Sequence, residues 1–279
     1  MNLTTQPQSA PDTKPLLPFY APDNVARPLM PGAEPFLYEA GDEVGCLLVH
    51  GFTATPAEMR GIGRYLADKG ITAGGVLLAG HGTAPEDLQN TTWRDWHASL
   101  EGALDDMLAR CKRVYLAGLS LGGALALYTA AKRGNDLAGI ISMAAPIYLP
   151  PGLGMVLKSM RMHVPYMYKP YRDIEDPVAR EQQIGYMSTP TDAIATLVEL
   201  LGEVRAALPQ VKVPTLIIYS RHDHIVPPLS SHHIYSRINT PNKRMIALHR
   251  GFHVVTTDYD RDRVYAAVQE FISERESRR

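Results

Sequence analysis

From Phe36 onward the chain alternates short apolar runs of strand character with segments of helical periodicity, and this alternation restricts it to few architectures. The runs are "VGCLLVH", "ITAGGVLL", "RVYLAG", "LAGIISMAAP", "TLIIYS" and "KRMIALH", each apolar along most of its length, as strands covered on both faces must be. Helical patterns fall between and after them, at residues 56–69, 92–111, 121–134, 229–238 and 261–274. The expected class is α/β, with a mostly parallel central sheet flanked by helices and ligand sites at the carboxyl ends of its strands.

The segment 92–111 is the best marked of these helices. Thr92 and Asp95 have the spacing of a capping box, and Trp93, Trp96, Leu100, Leu104, Met107 and Leu108 recur on one face. That periodicity assigns both tryptophans to the core.

Two stretches break the pattern. Residues 1–35 are rich in Pro, Thr and Gln without periodicity, which predicts a poorly ordered arm lying on or beside the domain. Residues 147–210 lack a good strand and turn to Met, Tyr and Pro, so they are expected to form a cap inserted into one domain spanning 36–279.

Bulk properties exclude several function classes. With 45% hydrophobic and 20% charged residues, 279 positions suffice for a substantial core. The 28 basic and 29 acidic residues leave a net charge of −1 without a Lys/Arg stripe, which argues against nucleic acid as a partner. Two cysteines supply neither a disulfide framework nor metal-ligand spacing.

No basic segment followed by an apolar one opens the chain, so a cytoplasmic location is expected. The longest uncharged stretch, 137–157, is interrupted by Pro146, Pro150 and Pro151, so stable membrane insertion is not expected. Neither G-x-G-x-x-G nor a Walker sequence is present.

The chemistry centres on "AGLSLGGA". A serine ahead of a helix is often only an N-cap, and G-x-S-x-G arises by chance in roughly one chain in ten of this length. A nucleophilic serine also needs a base, and the base an orienting carboxylate.

Both occur at strand ends: Asp223 follows "TLIIYS" and His253 follows "KRMIALH", giving the order Ser120, Asp223, His253. His253 competes with His249, which closes its strand as a structural side chain, while His222, His224, His232 and His233 surround Asp223. A metal site built from these histidines lacks acidic or cysteine ligand spacing. Oxyanion donors are expected from the backbone N–H of Leu121 and from Phe52 in "HGFTATP".

Taken together, "LLVHGFTATPAEMRGIGRYLADKGI", "LAGHGTAPEDL", "GLSLGG", "SRHDHIVP" and "HVVTTDYD" resemble the small bacterial carboxylesterases of the α/β-hydrolase superfamily, relatives of monoacylglycerol lipases. The likeness runs from about residue 36 to the end. It differs at Arg250 and Gly251, where many relatives carry a small polar pair.

The resemblance implies an α/β-hydrolase fold with a small helical cap, and a triad of Ser120, Asp223 and His253 with Phe52 and Leu121 at the oxyanion hole. It further implies a small-molecule ester substrate, no cofactor and no metal, and leaves a homodimer open. In that cap Met155, Met160, Met162, Met167 and Met187, with Tyr148, Tyr166, Tyr168, Tyr171 and Tyr186, either line an acyl pocket or fill the gap beneath it.

The same motifs serve monoacylglycerol lipases, thioesterases and carbon–carbon bond hydrolases, and a non-catalytic small-molecule receptor could share the scaffold. A haloalkane dehalogenase is disfavoured, because its carboxylate would replace Ser120.

Overall fold

All six apolar runs pair side by side as parallel strands, and a seventh strand closes one edge. The computed structural model describes residues 27–148 and 164–277. In chain order the elements are β1 (Phe36–Tyr38), β2 (Val44–Val49), α1 (Arg60–Ala67), β3 (Thr72–Val76), α2 (Pro85–Gln89), α3 (Trp93–Arg110), β4 (Arg113–Leu119), α4 (Leu121–Arg133) and β5 (Gly139–Met143). Then follow β6 (Tyr166–Tyr168), α5 (Pro177–Gln182), β7 (Ser188–Pro190), α6 (Thr191–Ala207), β8 (Thr215–Ser220), α7 (Leu229–Arg237), β9 (Lys243–Leu248) and α8 (Arg261–Glu276).

The main sheet has the order β1-β3-β2-β4-β5-β8-β9, with only β1 antiparallel to its neighbour. Its register brings the strand ends together, since Val49 pairs with Gly118, Leu119 with Met143 and Ser220 with Leu248. Every loop leaving a parallel strand at its carboxyl end therefore emerges on one edge of the sheet.

Apolar side chains on both faces of the strands require helices on both sides. On one side Leu47, Val49 and Leu116 join Trp96, Leu100 and Leu104 of α3 and Leu125 of α4. On the other, Leu48, Ala117 and Ile218 meet Ile62 and Leu66 of α1 and Val268 and Phe271 of α8. Both tryptophans of α3 are buried, and the capping box of Thr92 and Asp95 is formed.

The region expected as an insertion divides in two. Ala193, Leu200, Leu201 and Val204 of α6 are buried in the same cluster as α4, so this helix belongs to the main helical layer. Of the described residues, those at 164–190, with β6 and β7 paired antiparallel, supply the cover over the sheet edge. Residues 149–163, with Met155, Met160 and Met162, lie outside the described residues.

Most of the expected arm, residues 1–26, also lies outside them. Its described end sits on the domain: Met30 N–H donates to the Gly82 carbonyl at 2.7 Å, and Ala33 is buried. Among the described residues no helix is long and apolar enough to cross a membrane.

Candidate active site

The strand-to-helix turn at Ser120 is sharp because β4 ends at Leu119 and α4 begins at Leu121. Ser120 takes φ 54° and ψ −115°, a conformation that costs a residue with a side chain about 1–3 kcal/mol. Its N–H donates to Met143 O at 2.8 Å and its carbonyl accepts from Ala124 N at 3.0 Å, so both flanking elements hold it. The side chain makes no capping bond. Ser120 thus stands at the N-cap position without the N-cap role, and it lines the cavity described below.

The glycines around it make the turn sterically feasible. A Cβ on Gly118 would lie 2.1 Å from the Gly122 backbone, and one on Gly122 would lie 2.2 Å from Val49 O. Neither neighbour can yield, because both atoms are backbone.

Asp223 and His253 come together from the loops after β8 and β9. His253 Nδ1 lies 2.8 Å from Asp223 Oδ2, and the other carboxylate oxygen accepts from Ile225 N at 2.9 Å and Val226 N at 2.7 Å. The imidazole is buried, which pulls its pKa down, but Asp223, with Asp173 and Glu58 beyond it, outweighs burial and raises it above the ordinary 6.5. Its backbone N–H is held by Asp173 O at 3.1 Å.

The other histidines go elsewhere. His224 Nδ1 pairs with the buried Asp173 at 2.7 Å, His232 approaches the Tyr219 hydroxyl at 3.3 Å, and His249 is exposed beyond β9. Among the described residues no three His, Cys, Asp or Glu side chains gather as a metal site would require.

The loop after β2 is pinned at Gly51. His50 Nε2 accepts from Leu78 N at 3.1 Å, which leaves Nδ1 protonated to donate to Gly51 O at 2.9 Å. Burial and the neighbouring His81 hold His50 well below 6.5, so it is neutral. On the other side, Gly51 N–H donates to the buried Glu58 carboxyl. Phe52, next in sequence, packs its ring 5.4 Å from Trp96.

A cavity of about 410 Å³ lies over this edge, reached by Ser120, His253 and Phe52. Its walls are largely apolar, with Leu119, Ile194, Leu197 and Val254. Of the cap residues expected either to line an acyl pocket or to fill the gap beneath the cap, Tyr171 and Tyr186 line the cavity, while Met167 and Met187 are exposed. Tyr186 donates to Gly80 O at 3.0 Å and accepts from Thr83 N at 2.8 Å, fastening the cover to the "GHG" turn.

One end of the cavity is polar. Glu58, Lys169, Arg172 and Gln183 face it, and none was legible as a site residue. Gln183 Nε2 donates to Glu58 at 2.9 Å and Lys169 Nζ donates to the Thr53 hydroxyl. Burial raises the Glu58 pKa above its ordinary value and lowers that of Lys169 to about 8, although each opposes the shift of the other.

The sheet order, the sharp strand-to-helix turn and the strand-end loops define an α/β-hydrolase fold. The family profile described as "Serine aminopeptidase, S33" matches residues 43–260, and the chain belongs to this family of serine hydrolases.

It is 36% identical to the thermostable monoacylglycerol lipase of Bacillus sp. strain H-257 over 88% of this chain and 96% of that protein. It is 31% identical to a carboxylesterase of Bacillus subtilis strain 168, over 86% and 96%. A solved structure of the metagenome-derived lipolytic enzymes LipS and LipT superposes with a TM-score of 0.84 at 32% identity, covering 88% of this chain and all of that one (100%). A soluble variant of monoglyceride lipase from Saccharomyces cerevisiae shares the fold with a TM-score of 0.77 at 16% identity, over 87% and 91%.

Proposed function

We propose that the protein is a carboxylesterase that hydrolyses apolar carboxylic esters of short to medium acyl chain through an acyl-enzyme on Ser120. The observation that carries this reading is the His253–Asp223 pair, 2.8 Å apart, opening onto the same apolar cavity as Ser120.

His253 Nδ1 is committed to Asp223, so Nε2 is the nitrogen that takes the Ser120 hydroxyl proton as Oγ attacks the ester carbonyl. Asp223 holds the ring in that tautomer and stabilises the imidazolium. Negative charge moves to the carbonyl oxygen, where the N–H groups of Phe52 and Leu121 receive it. Leu121 opens α4, so its N–H has no partner within the helix and lies at the positive end of its dipole.

His253 then returns the proton to the leaving alcohol. Water, deprotonated by His253, attacks the acyl-Ser120 ester, and His253 gives that proton to Ser120 Oγ as the acid is released. These steps call for no cofactor or metal.

The cavity volume falls in the range of small-molecule sites, and its apolar walls suit an acyl chain. The reading goes with a cytoplasmic enzyme whose partner is a small ester and not nucleic acid. Monoacylglycerol hydrolysis is the second reading, favoured by the 36% identity to a monoacylglycerol lipase. Turnover of p-nitrophenyl esters and monoacylglycerols of graded chain length by wild type and Ser120→Ala tests both. Faster cleavage of long-chain triglyceride emulsions than of soluble short-chain esters contradicts the first.

A further inference from the structure

We infer that Glu58 is a positioning residue: it fixes the His50–Gly51 peptide, next to the peptide that carries the Phe52 N–H, and it ties that loop to the cover through Gln183. The inference rests on the oxyanion role proposed for Phe52.

Gly51 is held on both sides, through the two peptide groups that it joins. Its carbonyl accepts from His50 Nδ1 at 2.9 Å and from Ala54 N at 3.2 Å, and its N–H donates to Glu58 Oε1. Space at Gly51 is tight, since a Cβ there would lie 3.1 Å from Glu58 Oε1 and 3.5 Å from Ser120 Cβ. The Phe52 N–H shares its peptide group with the Gly51 carbonyl, so His50 and Ala54 hold that group directly, while Glu58 holds the preceding peptide and with it the rotation about Gly51.

The second Glu58 oxygen accepts from Gln183 Nε2 at 2.9 Å. Gln183 opens a stretch that is laced to the same loop: Tyr186 N donates to Thr53 O at 2.8 Å and Thr55 Oγ1 to Ile184 O at 3.2 Å. Of these bonds, the one through Glu58 reaches the residue before Phe52. A seated cover and a formed oxyanion site are therefore one structural state.

A carboxylate this close to a developing oxyanion would oppose it if fully charged. Burial pushes Glu58 toward its neutral form and Lys169 stands nearby as a counter-charge, so the hydrogen bonds are kept while the adverse field is reduced. The geometry of Glu58, more than its charge, is what the site uses. Glu58→Gln keeps an acceptor for Gly51 N–H, and its amide can pair with a turned Gln183. Glu58→Ala leaves the buried Gly51 N–H without a partner.

The test is steady-state kinetics on p-nitrophenyl butyrate, with inhibition by a phenylboronic acid, whose serine adduct places an oxygen at the oxyanion position. Glu58→Ala is expected to lower kcat roughly 10- to 100-fold, below the full loss of an oxyanion donor, with KM changed less than about threefold. Boronate inhibition should weaken in parallel, and Glu58→Gln should recover most of the loss. Gln183→Ala should lower kcat by less, and adding it to Glu58→Ala should cost nothing more.

Wild-type kcat in Glu58→Ala, or additive losses in the double variant, overturns the inference. Should Glu58→Ala not fold, Glu58→Asp replaces it: lost kcat at preserved KM supports the positioning role, and unchanged kcat contradicts it. Fluorophosphonate labelling of the wild type separates the two levels. If Ser120 is not labelled, the proposed function fails and this inference with it; if it is labelled while Glu58→Ala turns over normally, only the positioning role fails.

Discussion

His253 and Asp223 form a buried pair in which one carboxylate oxygen takes the imidazole at 2.8 Å and the other takes two backbone N–H groups. The carboxylate cannot turn away without losing those donors, so the ring is held in one orientation. Its raised pKa sets the pH dependence. The base must be neutral to accept a proton, so kcat/KM should fall as pH drops through the His253 pKa, with a midpoint above 6.5. Asp223→Asn removes the group that offsets burial; the acid limb should then move below 6.5, and kcat should fall about 10³- to 10⁴-fold. A pH–rate profile of both proteins checks this, and an unmoved limb counts against the pairing.

Ser120 is held at positive φ for the sake of its position, at the expense of folding stability. Glycine adopts that conformation without strain, so Ser120→Gly should unfold at higher denaturant than Ser120→Ala, by about 1 kcal/mol. Equal midpoints would mean that the elbow stores no strain.

Gly118 tests the close approach under the elbow. Gly118→Ala places a methyl against the Gly122 backbone and should destabilise by about 2 kcal/mol or more, read as a lower urea midpoint at unchanged slope.

Leu200 tests where α6 belongs. It is fully buried in the cluster shared with α4, so Leu200→Ala should cost about 2–5 kcal/mol within a single cooperative transition. A separate early transition, with the main domain unchanged, would instead make α6 part of a detachable cap.

The sequence carried the strands and the three residues at their ends because both signals are local. An apolar run marks a strand, and Ser120, Asp223 and His253 each follow one, so a mostly parallel sheet gathers them on one edge. The helix α6 was less legible. Its own spacing, Ala193, Thr196, Leu197, Leu200, Leu201, Val204, is that of a core helix, but it follows a stretch without strand signal and was grouped with it.

Glu58, Lys169 and Gln183 were not legible at all. A charged residue within a helical pattern ordinarily faces solvent, and Glu58 is covered by a partner 125 positions away in the chain, Gln183.

Ser120 as the proposed attacking group is checked by peptide mapping after incubation with a fluorophosphonate, alongside residual ester turnover. One adduct is expected, on Ser120, rising in proportion to lost turnover, with Ser120→Ala unlabelled and inactive. An adduct on another residue, or undiminished turnover by Ser120→Ala, would contradict it.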